Sequence, residues 1–320
     1  MSFVYRFAGA ACAAACLVSA PALACSSCGC TLGTEWASQG YSTGTGLRLD
    51  LRYDFVDQSQ LRLGAHAVDK HSYVPADPDQ EIQQGTLTRF YTLSASYNLS
   101  RDWGLDVQLP YLDRQHQTIG TAGAAVSGSQ DSGIGDLRIL GRFQGLFADR
   151  TLGLQFGLKL PTGAFHGRFG SGPQAGSPLD RGLQPGSGTT DLLLGIYHYQ
   201  PIGRDWDRFG QLQLRQAIDS REQFRPSTQV TANFGLRYVA NPALIPQLQV
   251  NLRWEGHETG VQGDYANSGD RAVFISPGLT VRVRRGLQAY GFLQLPAYQY
   301  YHGLQLAPTY TVSAGVSYGF

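Results

Sequence analysis

The 320-residue sequence lacks a long apolar run after its first 24 residues, and it lacks an excess of charge of either sign. A membrane-spanning helix needs about 20 consecutive apolar residues, so a helical membrane protein is excluded. The 25 basic and 24 acidic residues give a formal net charge of only +1. Nucleic acid is therefore not an expected partner, because its recognition requires a basic surface that displaces counterions.

The first 24 residues have the composition of an export signal. One positive charge, Arg6, precedes an Ala-rich apolar run, and the stretch ends in Ala22-Leu-Ala24. This pattern predicts a secretory signal peptide over residues 1–24, cleaved before Cys25. Residues 25–46 are then predicted to form a periplasmic amino-terminal segment.

Cysteine is confined to this end of the chain. Of five cysteines, Cys12 and Cys16 lie in the predicted signal, and Cys25, Cys28 and Cys30 follow it. Three interpretations remain open: a disulfide in the oxidising periplasm, a thiolate site that holds copper or zinc or docks a periplasmic redox partner, and acylation of Cys25. Apart from such a metal, no cofactor is expected.

Apolar and polar residues alternate over much of the sequence. In residues 47–55 every odd position is apolar, while the even positions are Arg48, Asp50, Arg52 and Asp54. Alternate side chains of a strand point to opposite faces, so such a strand suits lipid on one side and a water-filled lumen on the other. Twelve strands are predicted, at residues 47–55, 87–98, 104–113, 134–143, 151–162, 190–199, 208–217, 229–240, 247–257, 272–284, 287–298 and 309–320. The predicted fold is all-β, a single antiparallel up-and-down transmembrane β-barrel over residues 47–320.

The connections between these strands alternate in length. Short ones follow the even-numbered strands, and the longest follow the first, third, fifth and ninth. Outer-membrane barrels have short periplasmic turns and long external loops, so we expect the outer membrane of a Gram-negative bacterium, with both termini periplasmic. Outer-membrane lipid, lipopolysaccharide and the barrel-assembly machinery are the expected partners. Aromatic residues near the strand ends fit girdles at the two membrane interfaces.

The last strand is amphipathic and ends on an aromatic residue. From Tyr310 to Phe320 every second residue is apolar, and the residues between are small or polar. We expect this strand to pair with the first and close the barrel, and we predict that Tyr318 and Phe320 form an assembly signal.

Three Gly-rich segments resemble a known family. They are residues 133–137 (Gly-Ile-Gly-Asp-Leu), 157–163 (Gly-Leu-Lys-Leu-Pro-Thr-Gly) and 186–192 (Gly-Ser-Gly-Thr-Thr-Asp-Leu). Together they resemble the outer-membrane β-barrels of the phenol-degradation meta-pathway, transporter-type family. The resemblance implies a twelve-stranded channel for small molecules and names no solute.

If the apolar positions of each strand face lipid, the alternate positions face the lumen. The charged residues at these inward positions (the inward parity) are the predicted lumen charges. Ten are basic and six acidic: Arg48, Asp50, Arg52, Asp54, Asp106, Asp136, Arg138, Arg142, Lys159, Asp191, Arg215, Arg237, Arg253, Glu255, Arg282 and Arg284. Fixed charges bias which ions enter a pore, so passive passage of small molecules with a weak anion preference is predicted. The alternative is a narrow barrel filled by mutually neutralising side chains. Residues 163–189 either fold inward as a constriction or form an exterior loop, and we expect the exterior.

An enzyme is not expected. A lipid hydrolase of the outer membrane would need a His beside a Ser on the lipid-facing side. The seven His residues fall in loops, at strand ends or on the inward parity. The alternative to a channel is therefore the metal- or redox-linked protein that uses Cys25, Cys28 and Cys30.

Overall fold

Strands make up most of the part of the chain that the structure describes. The computed structural model describes residues 32, 46–74, 80–120 and 125–320. Its strands are β1 (Gly46–Gln58), β2 (Gln60–Gly64), β3 (His66–Ala67), β4 (Ile82–Asn98), β5 (Trp103–Ile119), β6 (Ser127–Ile134), β7 (Leu137–Phe143), β8 (Leu152–Leu160), β9 (Asp191–Ile202), β10 (Trp206–Ala217), β11 (Gln229–Tyr238), β12 (Leu244–Glu255), β13 (Asp270–Arg284), β14 (Leu287–Ala307) and β15 (Tyr310–Gly319). One short 3-10 helix, Arg181–Leu183, interrupts the β8–β9 loop. None of the described helical residues forms a helix long and apolar enough to cross a membrane.

Twelve of these strands form a closed antiparallel ring. The order runs from β13 down to β7, then through β5, β4, β1, β15 and β14, and β14 pairs back onto β13. The remaining strands, β2, β3 and β6, extend the wall at one end. The predicted twelve-stranded antiparallel barrel is confirmed, and closure leaves no unpaired sheet edge.

The first and last ring strands pair as the sequence predicts. Leu51 lies opposite Val316 in the β1–β15 ladder, and the Phe320 backbone N–H donates to the Leu47 carbonyl at 2.9 Å. The start of β1 and the end of β15 therefore lie at the same end of the barrel. We call this end, where the connections are short, the turn end, and the opposite one the loop end.

The alternation places apolar side chains outside and polar ones inside. Leu51 and Val316 are 56% and 49% exposed, whereas their neighbours Asp50 and Ser317 are 7% and 0% exposed. A barrel whose outer surface is apolar over the height of its strands suits a lipid environment. Two aromatic residues near strand ends depart from the predicted girdles: Phe209, expected at the periplasmic interface, and Phe274, expected at the outer interface, are instead buried and face inward.

Aromatic side chains fill the lumen near the turn end. Each of four inward rings lies over a glycine of a neighbouring strand, where a Cβ would overlap the ring: Tyr197 over Gly153, Phe209 over Gly235, Phe292 over Gly278 and Tyr290 over Gly315. Leu32, from the segment that precedes β1, packs against Tyr290 and Phe292. Leu32 therefore lies in the lumen. The predicted signal peptide and Cys25, Cys28 and Cys30 lie outside the described residues.

Several strands continue further toward the loop end than predicted. β4 begins at Ile82 and not at residue 87, and β5 runs to Ile119 and not to residue 113. Beyond the apolar band, residues 113–118 are polar on both faces, so the alternation that marks a strand in the sequence is absent there. A small core of Leu61, Ile82, Leu304 and Leu306 joins the extended strands.

Candidate functional site in the barrel lumen

The β8–β9 loop folds into the barrel. Its core consists of Phe169, Leu179 and Leu183, and Arg114 of β5 donates to the Gly182 carbonyl at 2.7 Å. Pro185 and its neighbours line the central cavity. The expectation of an exterior loop is therefore wrong for this part, because buried apolar contacts and a hydrogen bond from the barrel wall hold it inside. We call residues 163–189 the inward loop.

The three Gly-rich segments meet where the inward loop leaves the wall, and Lys159 lies at their centre. Its ammonium group lies 2.8 Å from the Asp136 Oδ2 and 3.3 Å from the Asp191 Oδ2. It also donates to the Ser187 hydroxyl and to the Thr189 carbonyl. Each segment thus contributes a charged residue to one buried network.

Asp136 fixes both ends of the inward loop. Its Oδ1 accepts from the Gly163 N–H at 3.0 Å, and its Oδ2 accepts from the Ser187 N–H at 3.0 Å. Gly163 and Gly186 also approach so closely that a Cβ on either would overlap the other's backbone. This explains why glycines occupy both positions.

The network continues around the wall through Arg215. Its guanidinium lies 3.8 Å from Asp191 and 3.4 Å from Glu255. Glu255 in turn accepts from the Ser227 hydroxyl and the Gln229 amide. Charges from β8, β9, β10 and β12 therefore form one chain along this side of the lumen.

The charged face of β1 forms a second group on the opposite side. Arg52 donates to Asp54 at 2.8 Å, and Asp54 also accepts from the Ser313 hydroxyl of β15. Asp50 accepts from the Tyr290 hydroxyl at 3.0 Å. The β15 residues facing these groups are small, as the sequence indicated, and they leave space beside the charges.

Further predicted lumen cations do not line the cavity, and they pair with neighbouring side chains. Arg253 makes two 2.8 Å bonds to Asp270 at the loop end, and Arg237 lies 3.3 Å from Asp207 at the turn end. Arg142 pairs with Asp106 and also donates to Asn98. Arg48 donates to Ser317. These pairings resemble the neutralising ladders of the alternative prediction.

The central cavity has a volume of about 300 Å³. Its basic lining residues are Arg52, Arg138, Lys159, Arg181 and Arg215, and its acidic ones are Asp50, Asp54, Asp106, Asp136, Asp191, Glu255 and Glu258. The acidic groups are therefore in excess at the cavity. The sequence count gave the opposite sign because all six predicted acids line the cavity, whereas six of the ten predicted cations do not: Arg48, Arg142, Arg237, Arg253, Arg282 and Arg284.

Arg284 is not a lumen residue. A bulge between Arg282 and Arg284 places Arg284 opposite Leu287, on the outward face, with its guanidinium 6.0 Å from the centre of the Tyr318 ring. The prediction was wrong here because one inserted residue reverses the parity of a strand. Arg282 keeps the inward parity, but it is exposed at the turn end.

The described residues give no support to the enzyme alternative. Residues 315–319 spell Gly-x-Ser-x-Gly, but they lie inside β15, and Ser317 is a buried acceptor for Arg48. His116 is buried against the Thr86 hydroxyl. Within the described ranges no three His, Cys, Asp or Glu side chains form a group that could hold a metal ion.

Comparison with known proteins supports the fold. No protein-family model and no curated protein matches the chain. Among solved structures, an outer membrane channel from Pseudomonas putida F1 superposes with a TM-score of 0.65 at 14% identity, covering 90% of this chain and 100% of that one. The translocator domain of the autotransporter NalP from Neisseria meningitidis gives 0.49 at 11% identity, with 87% and 89% covered. The toluene transporter TbuX from Ralstonia pickettii gives 0.44 at 10% identity, with 87% and 90% covered. The first similarity shows that this chain has the fold of a Gram-negative outer-membrane barrel.

Proposed function

We propose that this protein is a passive outer-membrane channel for small polar solutes, with its turn end in the periplasm. The observation that carries the proposal is the cavity of about 300 Å³ inside a closed ring, lined by charged groups and narrowed by the inward loop. A cavity of that size matches the lower end of small-molecule sites. Lipopolysaccharide and the barrel-assembly machinery are the partners such a location implies.

Family membership at a finer level is part of the proposal. The Gly-rich segments that resemble the phenol-degradation meta-pathway family converge on the Lys159 network, so the motif residues have a shared structural role. The Pseudomonas putida channel supports a channel of this general architecture. We propose that the solute crosses between the charged face of β1 and the Lys159 network.

The inward loop offers a direct test of passage. Gly186 N–H donates to the Ala164 carbonyl at 2.8 Å, so the two ends of the loop are neighbours. Deleting residues 165–185 joins positions that already lie together and removes the 3-10 helix from the lumen. In planar lipid bilayers we expect a small single-channel conductance for the wild type and a severalfold larger one for the deletion, as a wider bore predicts.

As a control, folding of the wild type and of the deletion variant is checked by gel electrophoresis. A folded barrel migrates differently in the unheated sample than in the heated one. A correctly folded wild type and deletion variant that both fail to conduct would overturn the channel proposal. Equal conductance of the two would show that the inward loop is not the constriction.

A further inference from the structure

Four carboxylates lie within electrostatic range of one another at the loop end, between the inward loop and the rim. Asp180 directly precedes the 3-10 helix, Glu81 directly precedes β4, and Glu258 and Asp264 lie between β12 and β13. Asp180 interacts electrostatically with each of the other three, and Glu81 interacts with Asp264. We call these four residues the acidic cluster. It connects the loop that narrows the cavity to two segments of the barrel rim.

Asp180 is the buried centre of the cluster. It is only 7% exposed, its side chain does not cap the 3-10 helix, and within the described residues its Oδ2 has no hydrogen-bond partner. An ionised carboxylate in such a place is costly unless another group compensates it. Asp180 is therefore a buried carboxylate whose electrostatic neighbours are three other acids.

The other three carboxylates are held in place by neutral donors. The Gln174 amide of the inward loop donates to Glu81. Asp264 accepts from the Asn267 N–H and side-chain amide, both at 3.0 Å. Glu258 accepts from the Asp264 N–H at 3.4 Å. These contacts fix the carboxylates without supplying positive charge.

The cationic side chains attached to the same loop have other partners. Arg181 donates to Glu222 at 3.2 Å, Arg114 donates to the Gly182 carbonyl, and Arg168 donates to a carbonyl within its own turn. Ionisation of Asp180 is opposed by repulsion from the three neighbouring acids.

Burial raises the pKa of Asp180 well above its usual range, and the neighbouring Glu81, Glu258 and Asp264 raise it further. Burial also raises the pKa of Glu81 and of Asp264. A carboxyl with a raised pKa binds its proton more tightly in this arrangement than when the loop is released. The inward position is thus fully favoured below the ordinary carboxyl pKa, and it loses that stabilisation as pH rises through the raised pKa.

We propose that the acidic cluster is a proton-operated latch, which holds the inward loop over the cavity while its carboxyl groups are protonated and releases the loop when they ionise. A divalent cation is the other means of neutralising such a cluster. Within the described residues no group of acids has the arrangement of a metal site, so protonation is the means of neutralisation that we propose. This inference rests on the proposed function for its effect on passage, but the motion of the loop can be measured without it.

The test is hydrogen–deuterium exchange of residues 180–187, corrected for the intrinsic pH dependence, in the full barrel in detergent at pH 4 to 8. In the wild type, protection of this segment should fall by up to about tenfold per pH unit where one proton is released. Asp180→Asn mimics the protonated carboxyl, so residues 180–187 of this variant should stay protected from exchange over the whole range from pH 4 to 8. Asp69→Asn, which changes an exposed acid of another outer loop, should behave as the wild type.

Single-channel conductance is recorded for the same proteins over the same pH range. A wild-type conductance that rises with pH and stays low in Asp180→Asn supports the latch. A pH-dependent loop in a barrel that never conducts would preserve the latch and refute the channel. Protection of the segment that is independent of pH in the wild type, or that depends on calcium and not on pH, would overturn the latch.

Discussion

At the scale of single residues, Lys159 is the group on which the lumen network depends. It is the only cation bonded to Asp136 among the contacts described, and it also pairs with Asp191. Lys159→Met keeps the length of the side chain but leaves two buried carboxylates without it. We expect the free energy of unfolding to fall by about 3 kcal/mol or more, since removing one partner of a buried ion pair leaves an uncompensated charge.

Urea-induced unfolding in lipid vesicles, followed by tryptophan fluorescence, measures this loss. Arg208→Met is the matched control, because Arg208 is exposed at the turn end and bonds only to Gln200 in the described contacts. Its expected effect is within about 0.5 kcal/mol. Equal stability of Lys159→Met and the wild type would show that the network is not a stabilising one.

Residue parity in the sequence was sufficient to identify most lumen charges, including Lys159 and Asp136. It could not identify their partners, because those depend on the path of the inward loop. Nor could it place Arg284, since a bulge is invisible to a count of alternate positions. The acidic excess at the cavity was missed for a related reason. Inward parity does not say at which height along the barrel a charge lies.

At the scale of strands, glycines opposite inward aromatic rings set the packing of the lumen. Gly278 of β13 lies under the Phe292 ring of β14, and a Cβ there would overlap the ring. Gly278→Ala should reduce the free energy of unfolding by about 1–3 kcal/mol, the usual cost of overpacking. Gly291→Ala is the control in the neighbouring strand, because a Cβ at Gly291 meets only the Ser313 carbonyl at 3.7 Å. The same unfolding measurement compares them, and equal losses would contradict this account.

The closing strand gives a prediction about assembly. Phe320 is 72% exposed, and its ring lies 4.8 Å from that of Tyr318. Deleting Phe320 should lower the fraction of protein that becomes a heat-modifiable barrel in cells, while the barrels that do assemble keep the wild-type conductance. Phe147→Ala, which removes an exposed aromatic side chain from a short turn, should assemble normally. Normal assembly of the truncated chain would refute a role as signal.

The number and order of the ring strands, and the side of the wall that each side chain faces, were predictable because alternation is a local property of the sequence. Strand length was not, since residues such as those at 113–118 are polar on both faces above the apolar band. The inward position of the loop at residues 163–189 was also not predictable from the sequence. Its Gly-rich and Pro-rich composition suits an exposed loop equally well, and only tertiary contacts such as Arg114 to Gly182 distinguish the two.

At the scale of the whole molecule, the balance of charge at the cavity would decide which ions pass through the proposed channel. Asp50 and Asp54 lie on the β1 side, and the cavity as a whole has more acidic than basic lining groups. Rings of fixed charge attract ions of opposite sign. We therefore expect a weak cation preference, seen as a reversal potential of the cation-selective sign across a salt gradient.

The double variant Asp50→Asn with Asp54→Asn equalises the acidic and basic lining groups while preserving shape and the hydrogen bonds from Tyr290 and Ser313. Its reversal potential should move toward zero, whereas Asp205→Asn, in an exposed turn outside the cavity, should leave the wild-type value unchanged. A wild-type reversal potential of the anion-selective sign would show that inward charges beyond the cavity, such as Arg48 and Arg237, control entry. In that case the simple sequence count would be the better guide, because ions would be selected along the whole lumen and not at its centre.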